Sequence, residues 1–457
     1  ILIIILLAMR GRLNHMKKIK NIYQKRMNTR YKESNKLIQR ALKVIPLGSQ
    51  TFSKSIVQYP KGVSPLFISK GKGSHVWDVD NNEYIDFVNG LLSVMLGYLD
   101  ADVDKSVLSQ FNNGVSFSLP HILETEVAEL LVEMVPCAEM VRFGKNGTDA
   151  TSAAVRLARA FTGREHILVC GYHGWQDWYI GSTTKDLGVP SAVKELTHSF
   201  KYNDLNNLNA HFEKLKNKVA CVIMEPMNFY YPNKDYLEQV KHLAHDNGAL
   251  LVFDETVTGC RFSKGGAQEM FDVIPDLATF GKGMGNGFPI SAVMGSQDVM
   301  MKMEDIFFSG TFGGETLSLA AAKAVLLKVR DSDVVENLRS KGKLIVSSVT
   351  KCIERHDVGH IFDVVGHPSW SLLTIADQEN CSSWEIKTFL FQEFFKRGVL
   401  FLGTHNISYA HTSEDITKLL EVYDEVFPIV SELINNGNLV EFLEVDALKP
   451  VFKVRDV

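Results

Sequence analysis

Two residues in the middle of the chain have side chains that could act together in catalysis. Asp254 follows the apolar run of residues 249–253, and Lys282 lies in the glycine-rich segment of residues 279–288. A carboxylate at the end of an apolar run is costly to bury unless a cation meets it. A lysine amine can form a Schiff base with an aldehyde and can afterwards carry protons. The pair therefore predicts a site for a group that offers both a cation and an aldehyde.

Pyridoxal phosphate (PLP) is a cofactor with both properties. Its protonated pyridine nitrogen would pair with Asp254, and this pairing lets the ring accept the electrons released when a bond to the substrate carbon breaks. Its aldehyde would join Lys282. Taken singly, Asp254 could cap a turn and Lys282 could lie in a solvated loop, so the interpretation depends on the motifs around them.

Residues 145–150 offer a place for the phosphate. They precede a helix predicted over residues 148–161, so the backbone N–H groups of Gly147 and Thr148 and the Thr148 hydroxyl would lie at a helix N-terminus, which attracts anions. A simple Thr N-cap is the alternative. The segment Gly-Thr-Phe-Gly-Gly-Glu at residues 310–315 is a second candidate phosphate contact, or a turn.

Two further motifs, at Tyr172 and around Lys282, bear on the cofactor. Tyr172 follows a predicted strand and could stack on a planar ring, although a single aromatic residue more often packs in a core. The glycines around Lys282 match neither GxGxxG nor GxxxxGK[ST], which argues against a dinucleotide fold and a nucleotide triphosphatase. Glycines here would let the backbone approach a bulky ring closely.

Short apolar strands alternate with helices from residue 122 onward, and this alternation predicts a mostly parallel sheet covered on both faces. Ligands bind beyond the carboxyl ends of such strands, and Asp254 and Glu225 would each stand just past a strand end. The predicted strands are residues 166–170, 220–224, 249–253, 277–280 and 291–294. The predicted helices are residues 126–134, 148–161, 236–247, 319–328 and 334–355.

The two ends of the chain predict a second lobe. Residues 46–97 alternate short apolar runs with turn residues, as a small antiparallel sheet does. The C-terminal part mixes strands with a helix from Ser413, as N-cap, to about Val426, and it should join the N-terminal sheet. The predicted division is a non-structural leader at 1–16, an N-terminal arm and part of a small domain at 17–84, a large cofactor domain at 85–330 and a small C-terminal domain at 331–457.

Composition excludes several classes of protein. The net charge of the 457 residues is -4, which gives no reason to expect a nucleic acid partner. Six scattered cysteines without a CxxC pair argue against zinc ribbons and a secreted disulfide framework, so a cytoplasmic protein with reduced thiols is expected. The apolar run of residues 1–8 is too short to span a bilayer, and no membrane partner is expected.

The ordered motifs resemble those of the class III PLP-dependent aminotransferases, with the glutamate-1-semialdehyde 2,1-aminomutase branch the most similar. The resemblance covers roughly residues 40–430. It implies an α/β protein of fold type I, with a large domain built on a mostly parallel seven-stranded sheet and a small α+β domain, acting as a homodimer with shared active sites. The motifs are Asn146-Gly-Thr-Asp-Ala-Thr151, Ala158-Arg-Ala-Phe-Thr-Gly-Arg164, Tyr172-His-Gly174, Phe253-Asp-Glu-Thr-Val-Thr-Gly259, residues 279–289 and Ser309-Gly-Thr-Phe-Gly-Gly314.

The same resemblance implies a role for each site residue. Lys282 and Asp254 would be catalytic, as Schiff-base lysine and ring-nitrogen partner. The other cofactor-binding residues would be Gly147 and Thr148 at the phosphate, Tyr172 and Val257 on opposite ring faces, His173 beside Tyr172, Glu225 near the ring hydroxyl and Thr311 at the phosphate of the neighbouring subunit. No metal is expected.

Two departures from the aminomutase pattern bear on the reaction. Lys54 stands where that branch commonly has an arginine that binds the substrate carboxylate, and a lysine lacks the bidentate fork. Residues 398–411 are shorter than the matching loop and lack its glutamate. These departures favour a transaminase that moves an amino group from an amino donor to a separate carbonyl acceptor, such as a keto sugar, a semialdehyde or a keto acid.

Two alternatives stay open at this point. One is intramolecular transfer by a glutamate-1-semialdehyde 2,1-aminomutase, and the other is a non-catalytic binding protein on the same fold, which the presence of both Lys282 and Asp254 disfavours. Lys54 and Trp175 are the candidate substrate contacts. Three other aromatic residues, Phe52, Trp178 and Tyr230, could line the same pocket.

Overall fold

The computed structural model describes residues 30–450, which form fourteen strands and fifteen α-helices. The strands are β1 (Ile68–Lys72), β2 (His75–Asp78), β3 (Glu83–Asp86), β4 (Met140–Gly144), β5 (His166–Cys170), β6 (Thr197–Ser199), β7 (Val219–Met224), β8 (Leu250–Glu255), β9 (Leu277–Phe280), β10 (Ser291–Gly295), β11 (Phe362–His367), β12 (Trp370–Ile375), β13 (Val399–Leu400) and β14 (Thr404–Asn406). The helices are α1 (Lys32–Ala41), α2 (Asn89–Leu92), α3 (Ala101–Phe111), α4 (Ile122–Met134), α5 (Gly147–Thr162), α6 (Asp177–Ile180), α7 (Ser191–Lys194), α8 (Leu205–Lys214), α9 (Tyr236–Asp246), α10 (Ala267–Phe271), α11 (Gln297–Met300), α12 (Thr316–Asp331), α13 (Val334–Arg355), α14 (Ser383–Lys396) and α15 (Ser413–Asn435).

A seven-stranded sheet forms the centre of the protein, in the order β4-β10-β9-β8-β7-β5-β6. The five strands from β9 to β6 are parallel, and β10 runs antiparallel to both of its neighbours. Every residue of β7 and β8 is buried, which is why these strands read as continuous apolar runs. The prediction of a mostly parallel seven-stranded sheet is confirmed.

Helices cover both faces of this sheet. Ile223 and Val252 pack with buried residues of α5 on one face, whereas Val222 and Leu251 pack with residues of α8 and α9 on the other. Alternate residues of one strand thus enter two separate apolar clusters, as the two-residue period of a strand requires. The fold is therefore an α/β fold with a three-layer arrangement around the central sheet.

Two smaller sheets complete the described chain. One has the order β1-β2-β3-β13, with β13 parallel to β3, so a C-terminal strand does join the N-terminal sheet as predicted. The other is an antiparallel sheet of β11, β12 and β14. The predicted domain boundaries stay predictions, and the leader predicted at residues 1–16 lies outside the described residues.

Several element boundaries differ from the predictions. Asp254 lies within β8, which continues to Glu255, and not beyond the strand end. The N-cap of α15 is Thr412, whose hydroxyl accepts a hydrogen bond from the N–H of Asp415, and the helix continues through Pro428 to Asn435. β4 and β6 were missed because β6 is a short polar edge strand and β4 is an edge strand in which exposed and partly buried residues alternate. None of the helices within residues 30–450 has the length and hydropathy that a bilayer crossing requires.

Candidate active site

Lys282 lies just beyond the carboxyl end of β9, in the 3-10 turn Lys282–Gly285. Its backbone adopts a φ of 38°, an unfavourable left-handed conformation for a residue with a side chain. Burial lowers the pKa of the Lys282 amine, and the cationic Arg261 lowers it further, whereas the carboxylates of Glu225 and Asp254 partly offset this effect. The amine therefore lies within electrostatic reach of two carboxylates, and its neutral form is easier to reach than that of a solvated lysine.

The Asp254 carboxylate is 4% exposed and is held by three side chains. Oδ1 accepts hydrogen bonds from the Thr256 hydroxyl at 2.6 Å, the Thr256 N–H at 3.1 Å and the Thr279 hydroxyl at 3.1 Å. Oδ2 lies 2.8 Å from Nδ1 of His173. Burial alone would raise the pKa of Asp254, but the hydrogen bonds from His173 and Thr256 outweigh it and leave the pKa below its ordinary value. The carboxylate is thus kept ionised inside the protein.

The His173 ring is buried and has contacts on three sides. Nδ1 faces Asp254, and Nε2 lies 3.2 Å from the carbonyl oxygen of Cys170. The ring also stacks on Trp178, with centroids 6.4 Å apart and an interplanar angle of 14°. Contacts on three sides hold the imidazole in one orientation, so His173 positions the Asp254 carboxylate.

Glu225 follows β7 directly, as predicted, at the same edge of the sheet as Asp254. Its Oε2 accepts a hydrogen bond from the N–H of Tyr172 at 3.1 Å. Burial raises the pKa of Glu225, and the nearby charge of Asp254 raises it further. Two carboxyl groups in one buried site with pKa values pushed in opposite directions give the site one fixed anion and one group that is easier to protonate.

The N-terminus of α5 lies beside this network. Gly147 is the first residue of the helix, and a Cβ atom there would come within 3.0 Å of Cγ2 of Thr256. A glycine is therefore needed for the helix end to approach the residue that holds Asp254. The helix is capped by Asn146 and Asp149, with the Asn146 N–H donating to the Asp149 carboxylate at 2.8 Å, so the alternative that Thr148 is the N-cap is wrong.

Thr148 has a buried hydroxyl with no hydrogen-bond partner in the described structure. A buried polar atom without a partner is unfavourable, and native proteins seldom retain one without a reason. Its place on the first turn of α5, where backbone N–H groups also lack intrahelical partners, suits an anionic oxygen.

The two predicted ring-face residues differ in exposure. The Tyr172 side chain is 51% exposed and meets the Tyr179 ring edge-on, with centroids 5.6 Å apart. Val257 is buried in an apolar cluster with Leu92 and Trp370. Both follow strands that end at the candidate site, β5 and β8 respectively.

The remaining predicted residues lie at the surface of the described chain. Thr311 is exposed in the turn before α12, and Lys54 is exposed at the end of the 3-10 turn Phe52–Lys54. Trp175 is 65% exposed. Trp178 is buried, and its Nε1–H donates to the Ser152 hydroxyl at 2.9 Å. Its place in a substrate pocket stays a prediction.

Comparison with known proteins decides the family. The model of the class III aminotransferase family matches residues 57–423. The chain belongs to the class III aminotransferases. It is 34% identical over 412 residues to the 3-aminobutyryl-CoA aminotransferase of Cloacimonas acidaminovorans (strain Evry), a match that covers 88% of this chain and 98% of that protein. It is 38% identical over 346 residues to the glutamate-1-semialdehyde 2,1-aminomutase of Francisella philomiragia subsp. philomiragia, covering 71% of this chain and 79% of that enzyme.

Solved structures of aminotransferases share the fold. The PLP internal aldimine form of the FumI protein from Sphingopyxis sp. MTA144 superimposes with a TM-score of 0.83 at 29% sequence identity, covering 91% of this chain and all of that one. The fold type I assignment, the enzyme class and the PLP cofactor predicted from sequence are thereby confirmed.

The residues of this aminotransferase fit that cofactor. The unpartnered Thr148 hydroxyl at a helix N-terminus suits the phosphate, and the buried, ionised Asp254 suits a cationic ring nitrogen. The partly buried Lys282 amine suits the aldehyde. Each of the three functional groups of PLP thus has a matching side chain at one edge of the sheet.

Three residues of the site were not predicted from the sequence. Thr279 and Thr256 both donate hydrogen bonds to the Asp254 carboxylate. Thr279 can reach it because the register of β8 and β9 places the two residues opposite each other. Arg261 is buried, and its guanidinium donates to the carbonyl oxygens of Ser369 at 3.2 Å and Ile407 at 2.8 Å, next to strands β12 and β14 of the three-stranded sheet. Burial lowers the pKa of Arg261 to about 10.

Proposed function

We propose that this enzyme is an intermolecular transaminase, in which an amino donor and a carbonyl acceptor are separate molecules. The buried arrangement of Lys282, Asp254 and Glu225, where one carboxylate stays ionised and the amine has a lowered pKa, supports amino-group transfer on PLP. The absence of a carboxylate from residues 398–411 is the observation that favours separate donor and acceptor molecules. PLP supplies the electron sink when it is bound. The protein supplies the charges, the proton acceptor and the anion site.

We assign a role to each residue around that cofactor. Lys282 holds the cofactor covalently and, when released, moves a proton at Nζ, which its lowered pKa favours. Asp254, oriented by His173, binds the ring nitrogen. Gly147 and Thr148 bind the phosphate, and Glu225 lies on the side of the ring hydroxyl. The Tyr172 ring and the Val257 side chain contact the two ring faces.

The choice of transferase over aminomutase rests on substrate handling. The connection between β13 and β14 consists of three residues, 401–403, and the segment of residues 398–411 contains no carboxylate. Lys54 provides a point charge for a substrate carboxylate and not a bidentate fork. The aminomutase is the second candidate, because it is the activity of the relative that is 38% identical.

The relatives also name substrates worth testing. One of them is named for 3-aminobutyryl-CoA, whose amine lies on the carbon β to the thioester. We therefore propose a donor set that includes β-amino acyl thioesters, β-amino acids and α-amino acids. Acceptors would be the corresponding keto acids and semialdehydes, with keto sugars as the bulkier choice.

A half-reaction screen tests the proposal. Purified enzyme is mixed with one amine at a time, and conversion of the cofactor to its aminated form is followed by the loss of yellow colour. Glutamate-1-semialdehyde is then supplied alone, without a donor. Turnover with separate donor and acceptor supports the transaminase, whereas product from the semialdehyde alone would establish the aminomutase.

A charge-specific variant makes the screen sharper. Lys54→Gln should raise KM for carboxylate-bearing substrates with little change in kcat, because it removes a binding charge that does not change during the reaction. Lys61→Gln, an exposed lysine in the same region, is the matched control.

We further propose that the enzyme is a cytoplasmic homodimer. Apolar side chains are exposed along α3 and the loop that follows it, with Leu108 at 63%, Phe111 at 60% and Leu119 at 79% exposure, and Phe312 next to Thr311 is 59% exposed. A second copy of the chain would cover these apolar side chains. Dimerisation would also bring Thr311 of each subunit to the cofactor site of the other subunit. Leu119→Glu should yield monomers in light scattering, whereas Leu344→Glu on α13 should not.

The cytoplasmic location is supported by the six unpaired cysteines, which fit a reducing compartment.

A further inference from the structure

A second group of reactive side chains lies in the C-terminal lobe, away from the Lys282 site. Cys352 and His356 are one helical turn apart at the end of α13, and Asp424 lies on the neighbouring helix α15. Their candidate ligand atoms (Sγ, an imidazole nitrogen and a carboxylate oxygen) all lie within 4.8 Å of one another. No residue of this group takes part in the proposed transamination.

The hydrogen bonds of this group converge on a single atom. Oδ1 of Asp424 lies 2.8 Å from Nε2 of His356, 3.7 Å from Sγ of Cys352 and 2.7 Å from a guanidinium nitrogen of Arg355. A cavity of about 220 Å³ adjoins the group and is lined by Ser348, Lys351, Cys352, Arg355, Leu420 and Asp424. The three ligand atoms are therefore preassembled beside a space that solvent and an ion can enter.

We propose that Cys352, His356 and Asp424 bind a zinc ion that joins α13 to α15. Thiolate, imidazole and carboxylate are the three ligand types that zinc takes, at about 2.3 Å for sulfur and about 2.0–2.2 Å for nitrogen and oxygen. A water molecule from the cavity would complete a tetrahedron. The thiolate selects against magnesium and calcium, which prefer all-oxygen sites.

The charge of the ligand set matches a divalent ion. One thiolate and one carboxylate carry two negative charges, which zinc neutralises. Zinc binds the Cys352 sulfur as a thiolate, so the thiol proton must leave to the buffer when the metal binds. The Arg355 guanidinium forms an ion pair with Oδ1 of Asp424. The Arg355 side chain is 63% exposed, so it can turn into solvent when zinc binds that oxygen.

The experiment uses untagged holoenzyme and Zn2+, with calorimetry in two buffers of different ionisation enthalpy. We expect about one zinc per chain and close to one proton released per zinc. Cys352→Ser, His356→Gln and Asp424→Asn should each weaken zinc binding by at least roughly 100-fold, since even outer partners of metal ligands contribute 10–100-fold. The yellow cofactor colour and transamination should be unchanged in all three.

Two controls keep the test specific. Cys381→Ser removes another buried thiol of the same lobe and should bind zinc as the wild type does. Arg355→Gln removes the competing cation and should bind zinc more tightly. Cobalt in place of zinc should give a sulfur-to-cobalt charge-transfer band that Cys352→Ser lacks. A wild type that binds no zinc, or Asp424→Asn and His356→Gln variants that bind it undiminished, would overturn the proposal.

Discussion

Nδ1 of His173 lies 2.8 Å from Oδ2 of Asp254, and this contact sets the charge of the candidate active site. The hydrogen bond from His173 does more than any other contact to hold the pKa of Asp254 below its ordinary value against the effect of burial. A residue that does not need to touch the cofactor thus keeps the carboxylate ready for a cationic ring nitrogen. His173 is therefore a positioning residue whose effect should be visible in a pH profile.

His173→Phe keeps the ring volume but removes this hydrogen bond, so the pKa of Asp254 should rise. Because the carboxylate then takes up a proton at a higher pH, the acid limb of the kcat/KM profile should move to higher pH. The alkaline limb should stay in place. An unchanged acid limb would show that His173 does not control Asp254.

Asp254→Asn should lower kcat by roughly 100-fold or more, because a neutral amide no longer stabilises a protonated ring nitrogen. Glu255 is the matched control, since it is the next residue of β8 and points to the opposite face. Its carboxylate accepts hydrogen bonds from the Gln268 side chain at 2.9 Å and the Thr258 hydroxyl at 2.8 Å. Glu255→Gln should lower the free energy of unfolding while largely preserving the activity of the folded enzyme. Normal kcat in Asp254→Asn together with a large loss of kcat in Glu255→Gln would contradict the assignment.

Thr148→Val should separate cofactor binding from stability. The hydroxyl has no partner in the described structure, so its replacement by a methyl group should leave the free energy of unfolding of the cofactor-free protein unchanged or slightly higher. Affinity for PLP should fall by roughly 10–100-fold if the hydroxyl donates to the phosphate. Ser152→Ala, on the same helix, removes the partner of Trp178 and should cost about 1 kcal/mol of stability without changing PLP affinity. Equal PLP affinity for Thr148→Val and wild type would remove Thr148 from the phosphate site.

His405 should make the cofactor-free protein sensitive to acid. Burial lowers the pKa of His405 to about 3 in the folded protein, against an ordinary value of 6.5. Between these two values only the unfolded chain takes up the proton, so the free energy of unfolding should fall as pH decreases, by roughly 1.4 kcal/mol per pH unit. In His405→Gln the slope measured by urea unfolding between pH 6 and pH 4 should be shallower by about that amount, while above pH 7 the two curves run parallel. Equal slopes would contradict the buried, neutral state of His405.

The central sheet was predictable because its inner strands are buried on both faces. β5 and β9 were predicted with their observed bounds, and β7 differs by one residue, since a strand covered on both sides shows an uninterrupted apolar run. The edge strand β6, Thr-His-Ser, carries no such signal and was missed. The predicted strand at β8 ended at residue 253, two residues too early, because the charged residues Asp254 and Glu255 end the apolar pattern but not the strand.

The site was predictable in its residues and not in its contacts. Lys282, Asp254, Glu225 and Thr148 stand out by type and by position at strand ends or at a helix N-terminus. The contacts of Asp254 with Thr279 and His173 depend on strand register and on the path of the loop after β5, and one sequence specifies neither. The buried Arg261 contacts residues more than a hundred positions away, which no local pattern indicates.

Reduction with borohydride tests the central claim most directly, because it makes the bond between the cofactor and its lysine permanent. The holoenzyme is reduced, digested and mapped by mass spectrometry, with Lys282→Ala treated in parallel. We expect a single modified peptide, carrying the cofactor mass on Lys282, and no modified peptide from the variant, which should also lose at least roughly 10⁴-fold in turnover. Modification of a different lysine, or a wild type that takes up no PLP, would contradict the account.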